Sequence, residues 1–225
     1  MKMGLGQDNA TSALINYWGD TGNMVRSLYA GIRECNTFME GVTGVQDLNK
    51  YEKDRMIAEA KMIKAYMHFY LLSYYGPICP LRENTEVNES TQGVRVYREK
   101  VDDCFAYILE LLDEVIEGNA LPAVIENRTT ELGRFTRPAA YMLKAKVLVY
   151  WASPLFNGNT DYNSFLNNAG EPFFNQSYDE TRWTAAAEAC KKAVDACEAA
   201  GIRLYQQSDY ISPKVLSDQT MLVNT

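Results

Sequence analysis

The chain has 225 residues, 22 of them basic and 29 acidic, for a formal net charge of -7, and 47% of it is apolar. That content supplies a sizeable core and excludes a disordered chain, while the acidic balance and the lack of a basic stripe exclude a nucleic-acid partner held by its phosphates. No apolar run approaches the roughly eighteen residues of a membrane span, and Met1 to Asn9 lacks the basic-then-apolar pattern of a secretion signal.

Residues 1–20 read as loop, with Gly4, Gly6, Asp8 and Asn9 followed by the cluster Tyr17, Trp18, Gly19 and Asp20. A first helix is predicted from Thr21 or Asn23 to Met39, with Met24, Leu28, Ile32, Cys35 and Met39 on one stripe. A second runs from Lys53 to Tyr75 with Ile57, Ala60, Ile63, Met67, Tyr70 and Tyr74 as its face, stopped by Gly76 and Pro77. The third, near Tyr97 to Glu117, places Val101, Cys104, Ile108, Leu111 and Val115 on one side, and residues 118–132 read as a loop. The fourth starts behind Thr136 with Pro138 in its first turn. Its face is Tyr141, Ala145, Leu148, Ala152 and Leu155, widened by Met142 and Val149, and Ser153-Pro154 ends it. The fifth, Arg182 to Ala200, carries Trp183, Ala187, Cys190, Val194 and Cys197, and Gly201 closes it.

Pairing the second helix with the third and the fourth with the fifth gives an all-α-dominated fold of TPR-like helix pairs with long loop insertions, one domain over residues 1–225. The insertion at 154–181 alternates asparagines with Tyr162, Phe165, Phe173, Phe174 and Tyr178. Aromatic faces stack on the C–H faces of a sugar while amides bond its hydroxyls, so Tyr162, Phe165, Phe174 and Tyr178 are candidate ligand contacts. The competing reading makes these rings anchors that pin the loop.

Cys35, Cys79, Cys104, Cys190 and Cys197 form no CxxC pair, and His68 is the single histidine. Neither a metal nor another cofactor is expected, and Cys104, Cys190 and Cys197 are expected to pack into the core. His68 has no partner at helical spacing and reads as packed rather than catalytic. No GxSxG elbow, phosphate loop or HExxH helix is present, so a glycoside hydrolase is the least favoured reading and no catalytic residue is nominated.

LYAGIRECNTF from Leu28, AEAKMIKAYMHFYLLSYYGPICPL from Ala58, GRFTRPAAYMLKAKVLVYWASPLFNG from Gly133 and WTAAAEACKKAVD from Trp183, in that order, resemble the SusD/RagB-like outer-membrane glycan-binding lipoproteins of the Bacteroidetes. Lys64 stands where that family usually has arginine. The resemblance implies a non-catalytic protein that captures an oligosaccharide at the cell surface and passes it to a SusC-like TonB-dependent transporter. It also implies a lipid anchor outside this chain, which would be the N-terminal part of a longer protein. Trp18 is the first sugar-facing candidate, with Tyr17, Asp20 and Asn23 as helpers; a staple onto the following helix is their alternative role. A TPR-like scaffold for a protein partner is the alternative function.

Overall fold

The computed structural model describes residues 16–19, 27–85, 89–90 and 92–204. Among them the chain forms α1 (Leu28–Val42), α2 (Lys50–Tyr75), α3 (Val101–Gly118), the single turn α4 (Arg128–Glu131), α5 (Arg137–Ala152) and α6 (Thr181–Ala199). The only strand-like pairing among the described residues is a bridge between Leu166 and Pro172. α1 packs on α2, α2 on α3, α3 on α5 and α5 on α6, so both expected pairs are present within one continuous array. No described helix is long and apolar enough to cross a membrane.

The starts of α1 and α2 follow cap chemistry more closely than apolar spacing, whereas Thr136 makes no side-chain cap bond at the start of α5. Ser27 is extended and its hydroxyl accepts from the Ala30 amide at 3.2 Å, which opens α1; the expected earlier turn with Met24 lies outside the described residues. Asn49 and Glu52 form a capping box that starts α2 three residues before the expected Lys53. α3 begins at Val101 rather than near Tyr97, because its first turn carries Asp102 and Asp103 against the positive end of the helix. The Val101 amide donates to the Phe173 carbonyl at 2.9 Å, so the insertion itself satisfies that helix end.

The expected face of α3 is buried as read, with Val101, Cys104, Phe105, Ile108, Leu111, Leu112 and Val115 all in the main core. On α2 the inward residues are Ala58, Met62, Ala65, Phe69, Leu71 and Leu72, whereas Ile63 and Tyr74 of the expected face are exposed. α2 carries apolar side chains all round, so spacing alone does not select a face. On α5, Ala145, Leu148 and Ala152 are buried as expected, but Met142, Val149 and Leu155 are exposed and Ala140 and Val147 take their place.

α6 corrects the sequence reading most sharply. Trp183, Val194 and Cys190 are exposed, and the seam against Ala145, Leu148 and Ala152 is made by Ala186, Ala189 and Ala193. Small side chains let the two helices approach closely, and the bulky stripe is turned outward.

Residues 118–132 are not all loop. Asn127 caps α4 by accepting from the amides of Thr129 and Thr130, and Glu131 pairs with Arg55 and Arg134, each at 2.8 Å. Arg134 also pairs with Glu59 at 2.9 Å, which fastens this segment to α2.

Candidate functional site

Two aromatic regions nominated from the sequence flank a common segment, residues 94–100, which leads into α3. The first is built on the C-terminal end of α2. The Tyr17 amide donates to the Tyr75 hydroxyl at 2.9 Å, and Leu28 of α1 donates its amide to the Tyr17 carbonyl at the same distance. Trp18 sits edge-on between Tyr29 and Tyr75, with ring centroids 5.1 and 5.5 Å away. The Arg98 guanidinium lies 4.7 Å over its ring, a cation–π contact. Trp18 is therefore half-buried and braced on several sides, while Tyr17 packs against Tyr70 and Tyr74 at 5.2 and 5.3 Å. Asp20 and Asn23 lie outside the described residues.

The second region is the insertion. Phe174 is buried, stacked between Phe156 at 6.2 Å and Tyr162 at 4.9 Å. Gly76, at φ +70, leaves room for this ring: a Cβ there would stand 3.2 Å from Phe174. Phe174 is thus an anchor, and its nomination as a ligand contact is corrected. Phe165 is 39% exposed and leans on buried Phe173 at 4.9 Å; Tyr162 and Tyr178 are 45% and 64% exposed.

Most of the asparagines hold the loop's own backbone. Asn157 is buried, accepting from the Asp179 amide at 2.8 Å and donating to the Asp179 carbonyl at 2.9 Å. Asn167 accepts from the amides of Ala169 and Glu171 to shape the tip. Hydrogen bonds from Asn167 and Lys100 hold the Glu171 carboxyl below its ordinary pKa. Asn175 donates to Asp102, which also receives the Trp151 indole at 2.7 Å and the Arg182 guanidinium at 2.7 Å. Arg182 is buried and lies 4.6 Å over the Trp151 ring, so Asp102 ties α3, α5, α6 and the insertion together.

Between the two regions lies a cleft of about 670 Å³, lined by Val96, Tyr97 and Arg98 from the segment before α3, by Leu166, Asn167, Asn168 and Ala169 from the insertion, and by buried Phe173 and Cys79. The volume suits a small organic ligand. Tyr97 is 60% exposed. The lining thus combines an exposed tyrosine with the amide of Asn168, and Arg98 joins the cleft to Trp18. Tyr97 and Arg98 were not nominated from the sequence, because the expected third helix absorbed them. The signal that separates them is the Asp102-Asp103 pair, which marks the helix start beyond them.

Behind the cleft lies a closed polar core. His68 is fully buried, and burial lowers its pKa from 6.5 to about 4. Its Nε2 accepts the Leu81 amide at 3.1 Å, which leaves Nδ1–H to donate to the Lys64 carbonyl at 2.8 Å. Lys64 is buried beside it, with its ammonium donating to the Arg82 carbonyl at 2.6 Å. These bonds fix residues 81 and 82 on α2, beginning two residues beyond Cys79 in the cleft lining. Burial pushes the Cys104 thiol up to about 12, so this cysteine is an inert core group.

Residues 7–149 match a SusD-like family model described as starch-binding and associating with the outer membrane. A solved structure named "BT4246" is 29% identical over 86% of this chain and 32% of that one, with a TM-score of 0.73. A SusD-like protein from Bacteroides fragilis is 23% identical over 75% of this chain and 26% of its own, with a TM-score of 0.56. Surface glycan-binding protein A from Bacteroides uniformis is 20% identical over 75% of this chain and 30% of its own, with a TM-score of 0.54. This chain therefore spans between 26% and 32% of the length of these structures. No curated protein matches it.

Proposed function

The chain belongs to the SusD-like family, described as starch-binding and associating with the outer membrane, and from that premise we propose that it captures a glycan chain without cleaving it. The observation that carries this reading is a cleft whose lining includes exposed Tyr97, Arg98 and Asn168 at the tip of the insertion. A flat ring can lie on the C–H face of one sugar unit while an amide bonds its hydroxyls. Each such contact contributes on the order of 1 kcal/mol, so several are needed along a chain. Trp18 acts here through Arg98, keeping the guanidinium against the cleft wall; Tyr162, Phe165 and Tyr178 are further sugar contacts on the outer side of the insertion.

In the whole protein, this capture serves a cell-surface uptake system: the captured oligosaccharide passes to a SusC-like TonB-dependent transporter, and a lipid anchor holds the protein at the outer membrane. The family's association with the outer membrane supports that place.

Titration calorimetry with oligosaccharides of the starch, laminarin and xyloglucan series tests the reading. At least one series binds the wild-type chain, Tyr97→Ala lowers its affinity about tenfold, a loss of about 1.4 kcal/mol, and no reducing sugar appears. Absence of binding across all three series, or release of reducing sugar, overturns the proposal.

A second reading, docking of a protein segment, is favoured by one feature. The groove among α3, α5 and α6 has an apolar floor of Leu109, Ile116, Leu148 and Ala189 under a rim of Asp113, Glu117, Glu188 and Lys192. Cross-linking from this rim to a transporter fragment, with glycan binding unaffected, would support it.

A further inference from the structure

We propose that the outward tyrosine row of α2 is a second carbohydrate-contact surface, continuous with the cleft and engaged only by longer glycan chains; this rests on the glycan reading above. Tyr66, Tyr70 and Tyr74 follow at one-turn steps, with ring centroids 5.6 and 4.9 Å apart. Tyr17 closes the row against Tyr70 and Tyr74. Tyr66 is 44% and Tyr74 61% exposed, so these rings lie outside the core that α2 makes with Ala65, Phe69 and Leu72.

The row is ordered in advance. Each ring braces the next, and the Tyr70 and Tyr74 hydroxyls stand 3.5 Å apart. A ligand lying on it therefore immobilises few side chains, which removes a common entropic cost of binding. Its chemistry is uniform: exposed aromatic ring surface for sugar C–H groups, phenolic hydroxyls for sugar hydroxyls, and no charged group in the row itself. Charged ligands and phosphate chains find no counter-ion there.

Continuity decides the occupant. Tyr17 belongs to the row, and its neighbour Trp18 carries Arg98 on its ring, the same arginine that walls the cleft. One dipeptide thus joins the two surfaces, and a chain leaving the cleft past Arg98 runs toward Tyr74. A short oligosaccharide fills the cleft alone; a longer one reaches the row.

The test compares short and long oligosaccharides of whichever starch, laminarin or xyloglucan series the wild-type chain binds, by titration calorimetry. Expected is a longer-chain affinity at least tenfold above the short one. Tyr66→Ser/Tyr74→Ser removes most of that gain and leaves the short-chain affinity within about twofold, and Tyr66→Phe/Tyr74→Phe keeps most of it because the ring faces remain. Tyr97→Ala weakens short and long chains alike. Should the double serine variant lose its helical circular dichroism, Tyr74→Ser alone carries the comparison. A wild-type chain with no length-dependent gain, a serine variant that retains the gain, or one that loses short and long binding equally overturns the tyrosine row while leaving the cleft in place. A wild-type chain that binds none of the three series overturns the row and the glycan reading together.

Discussion

The insertion and the outer side of α2 are both dense in aromatic residues, yet they use them in opposite ways. In the insertion the rings that matter to the fold are phenylalanines: Phe156, Phe173 and Phe174 are buried, and the loop closes over them. On α2 the ladder is made of tyrosines, and Tyr66 and Tyr74 stay exposed although other rings flank them. The phenolic hydroxyl accounts for the difference, since it needs water or a polar partner whereas a phenyl ring is most stable inside. Aromatic density alone therefore does not locate a binding surface.

Phe174→Ala would break the anchor side of this contrast. Removing a buried ring costs about 3–5 kcal/mol, and in a chain of this size each kcal/mol lowers the melting temperature by about 2–4 °C. Thermal melting followed by circular dichroism should show a loss of about 10 °C, and an unchanged midpoint would mean that the loop is not pinned by this ring. Asp102→Ala attacks the same anchor from its polar end. It leaves Arg182 buried without its carboxylate, at a cost of about 3 kcal/mol, read as a lower urea midpoint with unchanged steepness.

Acid tests the support behind the cleft. His68 titrates near 6.5 when unfolded and near 4 when folded, so the unfolded chain binds the proton first. Its contribution is complete above about pH 6.5 and is lost as the pH falls toward 4, a total of about 3 kcal/mol. Urea unfolding at a series of pH values should show that decline, and a flat profile across this window would contradict a neutral buried ring. Smallest of all should be the stability change for Tyr74→Ser, within about 0.5 kcal/mol because the ring is mostly in water. Stability unchanged while glycan affinity falls would sharpen the contrast between platform and anchor; a large melting shift would erase it.

How far the sequence spoke depended on how one-sided each helix is. α3 was legible residue by residue because Val101, Cys104, Ile108, Leu111 and Val115 alternate with charged positions. α2 was legible in extent but not in orientation, since Met62 and Phe69 on its inner side compete with Ile63 and Tyr74 on its outer side. On α6 the reading favoured bulk, and Trp183 and Val194 outweighed Ala186, Ala189 and Ala193, although close helix approach makes the alanines the buried set. For the candidate site, Tyr17 and Trp18 stood out as an aromatic pair in a loop. Tyr97 stayed hidden because a tyrosine next to an apolar helical pattern reads as the first turn of that helix.

The clasp between Asn157 and Asp179 has a meaning beyond local bonding. Two hydrogen bonds join the ends of the insertion, and Gly158, at φ +79, sits so close to Tyr178 that a Cβ would stand 2.9 Å from its backbone nitrogen. The loop thus begins and ends at one closed neck, and α5 and α6 meet its base rather than its contour. Lengthening such a loop adds only about 0.6 kcal/mol of closure entropy for each doubling. The tip from Asn163 to Gly170, outside the buried Phe173 and Phe174 and the Asn175 bond to Asp102, is in that sense an interchangeable cartridge that can be rewritten for a different ligand while the helices beneath keep their register.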